Sequence, residues 1–267
     1  MTQTTPQFSP FLTRMRARAP LVQNITNFVA MNVQANVMLA AGASPAMAHA
    51  LEEGAEFAGF AGALTVNIGT FDDSWSQAML SAVRGANAAG TPWVLDPVAC
   101  GATQARRDLS ARLLALAPAV IRGNASEILA LSGTATRGKG ADSADEVDAA
   151  MAGATTLARR SGAVVAVTGP TDFITDGTAG YWVDNGSAMM PRVTALGCSL
   201  TGIIGAFIAQ ETDRLRATTA ALTYYACAGE QAAQNAAGPG SFAVAFIDAL
   251  YTMTAAQMDQ AARVRKL

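Results

Sequence analysis

The residues able to do chemistry fall into a few short polar clusters. One is Thr194-Ala195-Leu196-Gly197-Cys198-Ser199-Leu200-Thr201-Gly202, which leads into an apolar run over 203–209. Small residues and glycine ahead of a helix let backbone N–H groups approach an anion closely, and the helix dipole adds about half a positive charge there. A phosphate in transfer fits this place, with Gly197 allowing the approach. The other reading is a glycine-rich loop before a buried helix. No GxxxxGK[ST] sequence occurs, so a P-loop is excluded as the nucleotide site. Asp96-Pro97-Val98 puts an acid at a strand end, where it holds magnesium directly or through water, or else caps a helix. Arg122-Gly123-Asn124-Ala125-Ser126-Glu127 adds a cation and a second acid. Asn124 and Glu127 have the spacing of a capping box; the functional reading sets Glu127 near metal-bound water and Arg122 near nucleotide phosphates. Thr168, in Val167-Thr168-Gly169-Pro170, offers a hydroxyl and nearby N–H groups to phosphate or ribose, or forms an ordinary turn.

Two further stretches carry amides and apolar side chains. They are 20–32, with Asn24, Asn27 and Phe28, and Ser44-Pro45-Ala46-Met47. They fit a small neutral heteroaromatic alcohol, with Asn27 and Met47 as contacts; core packing is the other reading of Phe28 and Met47. The single histidine, His49, is the only one a Ser-His-Asp arrangement could use, and it reads as a surface or interface residue. What remains is an anion-cradling helix start, two acids and an arginine. Phosphoryl transfer asks for such parts, since it depends mainly on positioning and charge stabilisation. At a helix start the Cys198 thiol is expected to titrate below its usual ~8.5.

These groups need elements to hold them. Short apolar runs predict strands over 21–25, 64–68, 93–95, 119–122 and 164–168. Ala-rich amphipathic segments predict helices over 31–41, 74–89, 105–116, 126–131, 144–160 and 199–210. Alternation at this spacing predicts one α/β domain over residues 1–267, a mostly parallel sheet covered by helices on both faces. Residues 173–183 read as a β-hairpin, with Asp176-Gly177 in its tight turn. Beyond Ser199 there is almost no strand signal, and 214–237 and 242–257 read as packed helices forming a C-terminal layer. Ligands of open α/β sheets bind at the carboxyl ends of the strands, and the polar clusters over 23–27, 67–69, 96–97, 122–127 and 168–172 fall at such ends.

Composition narrows the function classes. The chain has 267 residues and 51% hydrophobic residues, enough for one large core. Charged residues are only 14%, which points to buried subunit interfaces or to an Ala- and Gly-rich composition. Net charge is −2, and the densest basic stretch is Arg14, Arg16 and Arg18, too short for a nucleic-acid footprint. No apolar run reaches the ~18–20 residues of a membrane span. Cys100, Cys198 and Cys227 form no CxxC pair and no zinc set, which fits a reducing, cytoplasmic setting.

As a set, Asn24-Ile25-Thr26-Asn27 with Asn32, Ser44-Pro45-Ala46-Met47, Asp96-Pro97-Val98, Gly101-Ala102-Thr103, Asn124-Ala125-Ser126-Glu127, Gly138-Lys139-Gly140, Val167-Thr168-Gly169 and Gly197-Cys198 resemble, in order and spacing, the hydroxyethylthiazole kinases. The resemblance implies a ribokinase-like fold and phosphorylation of 4-methyl-5-(2-hydroxyethyl)thiazole by ATP with Mg2+, feeding thiamine synthesis. It implies a homotrimer with active sites at subunit interfaces. By the same resemblance Met47 and the backbone near Ala195 contact the thiazole, Arg122 and Thr168 contact ATP, and Asp96 and Glu127 order magnesium and its waters. Cys198 lies beside the substrate hydroxyl, where sugar-kinase relatives carry Asp. The family often has Gly three residues before the cysteine; here Ala195 stands, which is accommodated at negative φ and puts the loop in doubt at positive φ. Alternatives are a hydroxymethylpyrimidine kinase, a nicotinamide-nucleotide-hydrate dehydratase and a non-catalytic thiazole-binding trimer. Gly197-Cys198 argues against the first two, and the retained acids argue against the third.

Overall fold

The computed structural model describes residues 7–133 and 143–267; Gly138-Lys139-Gly140 lies outside them. Among the described residues the first half runs α1 Ser9–Arg18, β1 Leu21–Ile25, α2 Met31–Ala41, β2 Ser44–Ala46, α3 Gly54–Phe60, β3 Ala63–Asn67, α4 Asp73–Ala89, β4 Trp93–Asp96, α5 Gln104–Leu114, β5 Val120–Asn124 and α6 Ala125–Ser132. The second half runs α7 Ser143–Ser161, β6 Val164–Thr168, β7 Asp172–Thr175, β8 Gly180–Val183, α8 Leu196–Ile208, α9 Arg214–Ala233, α10 Pro239–Thr252, α11 Ala255–Ala261 and β9 Val264–Lys266. One nine-stranded sheet has the order β2-β1-β3-β4-β5-β6-β7-β8-β9. β1 to β6 pair in parallel, and β7, β8 and β9 are antiparallel.

The strands are apolar on both sides because both faces are covered. Neighbours along a strand enter different cores. Val22, Ala63, Val94, Val120 and Val164 face α1, α2, α8, α9, α10 and α11. Ile25, Leu64, Leu95, Ile121 and Val165 face α3, α4, α5, α6 and α7. The predicted layers are therefore present. α8 lies directly on the sheet, with Ile203, Ile204 and Phe207 fully buried; burying such a side chain stabilises by about 1.5–3 kcal/mol. Gly205 permits the approach: a Cβ there would sit 2.9 Å from Thr65 Cγ2 and 3.1 Å from Val22 Cγ1.

Three expectations change. The helix predicted over 242–257 is two helices, because Met253 is extended and Thr254 caps α11 in a reciprocal box with Gln257. The C-terminal third does contain a strand, β9, at the sheet edge. The hairpin turn spans four residues rather than two, with Gly177 at φ 90° and Asp176 Oδ1 accepting from the N–H groups of Thr178 and Ala179. α1, β2 and α3 were not expected from the pattern.

Candidate active site

The carboxyl ends of β1, β3, β4, β5 and β6 meet the start of α8, and this junction gathers most of the predicted residues. Asp96 closes β4 and is completely buried. It caps no helix: α5 is capped by Thr103. Its Oδ2 accepts from Asn67 Nδ2 at 2.7 Å and from Thr201 Oγ1 at 2.8 Å, and lies 3.6 Å from Arg122 Nη1. Its Oδ1 is buried without a partner. Burial pushes the Asp96 carboxyl up to about 6; Arg122 opposes this, the Glu127 charge adds to it, and the Thr201 and Asn67 bonds oppose it.

Glu127 forms the capping box. Asn124 Oδ1 accepts from Glu127 N–H, and Glu127 Oε2 accepts from Asn124 N–H, each at 2.9 Å. The structural reading of this pair holds, and it leaves room for a second duty: Glu127 Oε1 accepts from Ala99 N–H at 2.9 Å, tying α6 to the loop after β4. Ala99 itself has φ 52°, a strained value for a residue with a Cβ. Arg122 donates from Nη2 to Thr168 Oγ1 at 2.8 Å. Gly197 is what lets α8 start against that guanidinium, since a Cβ there would lie 3.1 Å from Arg122 Nη2.

α8 begins without a side-chain cap, so its first-turn N–H groups are left to an outside acceptor. Ala195 precedes it at φ 65°, the positive value that favours glycine. Cys198 is half-buried, and Asn27 Nδ2 donates to its Sγ at 3.3 Å and to Asn67 Oδ1 at 2.9 Å. A chain of polar contacts thus runs from Cys198 through Asn27 and Asn67 to Asp96. The expected low thiol pKa is corrected: burial raises it, and the nearby Asp96 charge raises it further, against the bonds from Asn27 and Asn67. Desolvation outweighs the helix dipole here.

A cavity of about 800 Å³ opens beside this junction. Arg122, Thr168 and Gly197 line it together with Asp172 and Tyr225. Met47 is half-buried and does not line it. Phe28 is not core: it is 63% exposed and packs edge-on against Trp75 at 4.5 Å, while His49, also exposed, stacks on the same ring at 4.7 Å. Asn67, Thr201 and Asp172 were given no role in the sequence. Thr201 lies one turn beyond Cys198, a spacing that puts both on one helical face and was readable. Asn67 stood only as a polar residue at a strand end, and its partner 29 residues away had no local signal.

Comparison with known proteins agrees with this geometry. The model of the hydroxyethylthiazole kinase family matches residues 12–256. A hydroxyethylthiazole kinase of Cereibacter sphaeroides is 65% identical over 254 residues, covering 95% of this chain and 97% of the relative. One from Rhizobium leguminosarum bv. trifolii is 58% identical over 263 residues, covering 98% of each. The solved hydroxyethylthiazole kinase of Pyrococcus horikoshii OT3 superposes with a TM-score of 0.90 at 42% identity, covering 97% of this chain and 98% of that one. A ribokinase-like superfamily protein from Enterococcus faecalis V583, 13% identical, superposes with a TM-score of 0.65 over 94% of this chain and 98% of its own, a likeness of fold. The fold is ribokinase-like, and the chain belongs to the hydroxyethylthiazole kinase family.

Proposed function

We propose that the protein transfers the γ-phosphoryl group of ATP to the primary alcohol of 4-methyl-5-(2-hydroxyethyl)thiazole. The products are ADP and the thiazole phosphate, with the alcohol proton released, and the phosphate enters thiamine diphosphate synthesis by salvage. The observation that carries this reading is the uncapped start of α8, where Gly197 meets Arg122 in the wall of the cavity. Backbone N–H groups and a guanidinium aimed at one point stabilise the charge of a phosphoryl group in flight.

In this reading Arg122, Thr168 and Gly197 hold the nucleotide. Asn27 orients the alcohol beside Cys198, and Met47 and the backbone at Ala195 contact the thiazole. Cys198 positions the hydroxyl rather than removing its proton beforehand, because its raised pKa keeps the thiol neutral near pH 7. The site fits Mg2+: the buried Oδ1 of Asp96 has no partner, and Glu127 is a second hard oxygen donor nearby. Magnesium, when bound, supplies positive charge to the phosphate oxygens. Asp96 and Glu127 would hold it and its waters.

Residues 1–267 act as one kinase domain, which the uninterrupted nine-stranded sheet supports. No helix among the described residues is long and apolar enough to cross a membrane. The three cysteines are free thiols, which supports a cytoplasmic setting. A homotrimer with shared active sites is supported by the position of Met47 outside the single-chain cavity and by exposed Phe28, Val29 and Phe60. ATP consumption tests the reading. It should require both the thiazole alcohol and a divalent metal, and hydroxymethylpyrimidine should not replace the thiazole. Equal consumption without the alcohol, or after chelation, defeats it.

A further inference from the structure

Arg106, in the first turn of α5, lies outside every cluster considered so far. Its guanidinium makes three hydrogen bonds, all to backbone carbonyls. Nη1 donates to Ile68 O and Val98 O, both at 2.9 Å, and Nη2 donates to Gly69 O at 2.8 Å. Its carbon lies 5.4 Å from the centre of the Phe71 ring. No carboxylate pairs with it among the described residues.

The three acceptors sit on two loops that carry the site. Ile68 and Gly69 follow Asn67, whose amide donates to Asp96. Val98 lies between Asp96 and Ala99, and Ala99 N–H donates to Glu127. Ala99 keeps a strained positive φ, so this loop has to be held from outside. A planar guanidinium presents several N–H donors in fixed directions and engages both loops at once; a lysine ammonium is a point charge without that fork.

We propose that Arg106 is a positioning residue that fastens the loop after β3 to the loop after β4 and so sets where Asp96 and Glu127 stand relative to one another. It touches neither substrate nor metal and acts through the two loops. The part concerning catalysis rests on the function proposed above.

The test uses the full chain with Arg106→Lys and Arg106→Met, and Arg112→Met on the same helix as control. The Arg112 side chain makes no hydrogen bond among the described residues. Amide exchange of the segment 97–103, read without ligands, should accelerate about tenfold or more in both Arg106 variants and stay unchanged in the control. Manganese(II) binding followed by electron paramagnetic resonance should weaken in step. At saturating substrates kcat should fall roughly 10–100-fold, the scale of a small misplacement, while the KM for the thiazole alcohol stays within about twofold. Unchanged exchange over 97–103 in folded Arg106→Lys and Arg106→Met overturns the proposal, as does accelerated exchange with unaltered manganese affinity and kcat. If the unmodified protein fails to phosphorylate the thiazole alcohol, the functional reading falls, and exchange and manganese binding still decide the role of Arg106. If one variant does not fold, the other carries the decision.

Discussion

At the scale of single residues, Cys198 shows burial overruling position in the chain. A helix start favours the thiolate, yet desolvation and the charge of Asp96 hold the thiol neutral. A general base typically contributes 10²–10⁴-fold to a rate, so replacing a residue that only positions should cost less. Cys198→Ala is expected to lower turnover by under about tenfold. Cys198→Asp should retain substantial activity, with its rate rising at higher pH than an ordinary carboxyl predicts, because the same surroundings raise the new group. Rates of both variants at saturating thiazole decide this. A silent Ala together with a dead but folded Asp would remove Cys198 from the mechanism.

Asp172 is a second residue whose surroundings fix its titration. It lines the cavity, and burial pushes its carboxyl up to about 6 against the N–H of Gly169 and the charge of Arg122. The native state therefore holds a proton that the unfolded chain, near 3.8, releases. That contribution to stability is complete below about 3.8 and is lost as pH rises through about 6. Asp172→Asn keeps an oxygen for Gly169 N–H and does not titrate. In nucleotide-free protein the variant should melt above the wild type at pH 7.5, with the gap closing toward pH 5. Because Asp172 borders an open cavity, the gap should stay below the ~3 kcal/mol of a buried two-unit shift. A gap independent of pH would contradict the assignment.

Among the elements, α8 is set by contact rather than by propensity. Alanine is ordinarily better than glycine inside a helix by about 1 kcal/mol. Gly205 reverses this, since its Cβ would press on Thr65 and Val22 in the sheet. Gly205→Ala should lower stability by about 1–3 kcal/mol, seen as a lower urea midpoint with an unchanged slope. The legible elements were those whose own residues carry the pattern. β1, where Leu21, Val22 and Ile25 flank two amides, and β6, apolar from Val164 to Val167, match their predicted bounds. The capping box of Asn124 and Glu127 was readable because it is local. β9 was not readable: Val264-Arg265-Lys266 has one buried residue, and pairing with β8 makes it a strand. The break after α10 did carry a signal, the Thr254 and Gln257 spacing, inside a stretch whose apolar period continues across it. At the site, the candidate residues were visible by type at strand ends or, for Gly197 and Cys198, at a helix start, while the contacts among Asn27, Asn67, Asp96 and Thr201 join residues up to 105 positions apart.

For the whole molecule, the trimer proposed above rests on the low charge content and on exposed Phe28 and Phe60. Light scattering should give three times the 27.3 kDa chain mass. Dilution that dissociates the assembly should abolish turnover if neighbouring chains complete each site; a fully active monomer would rule this out. The sheet itself limits how copies meet. Its outermost strands, β2 and β9, are three residues each, one interrupted by Pro45 and the other ending in Arg265 and Lys266. Such margins give a foreign strand almost no ladder to extend, so copies of this chain have little route to fibrils by backbone pairing. Contacts between copies are left to side chains rather than to backbone pairing. Concentrated solutions should accordingly fail by amorphous precipitation rather than by growth of cross-β filaments.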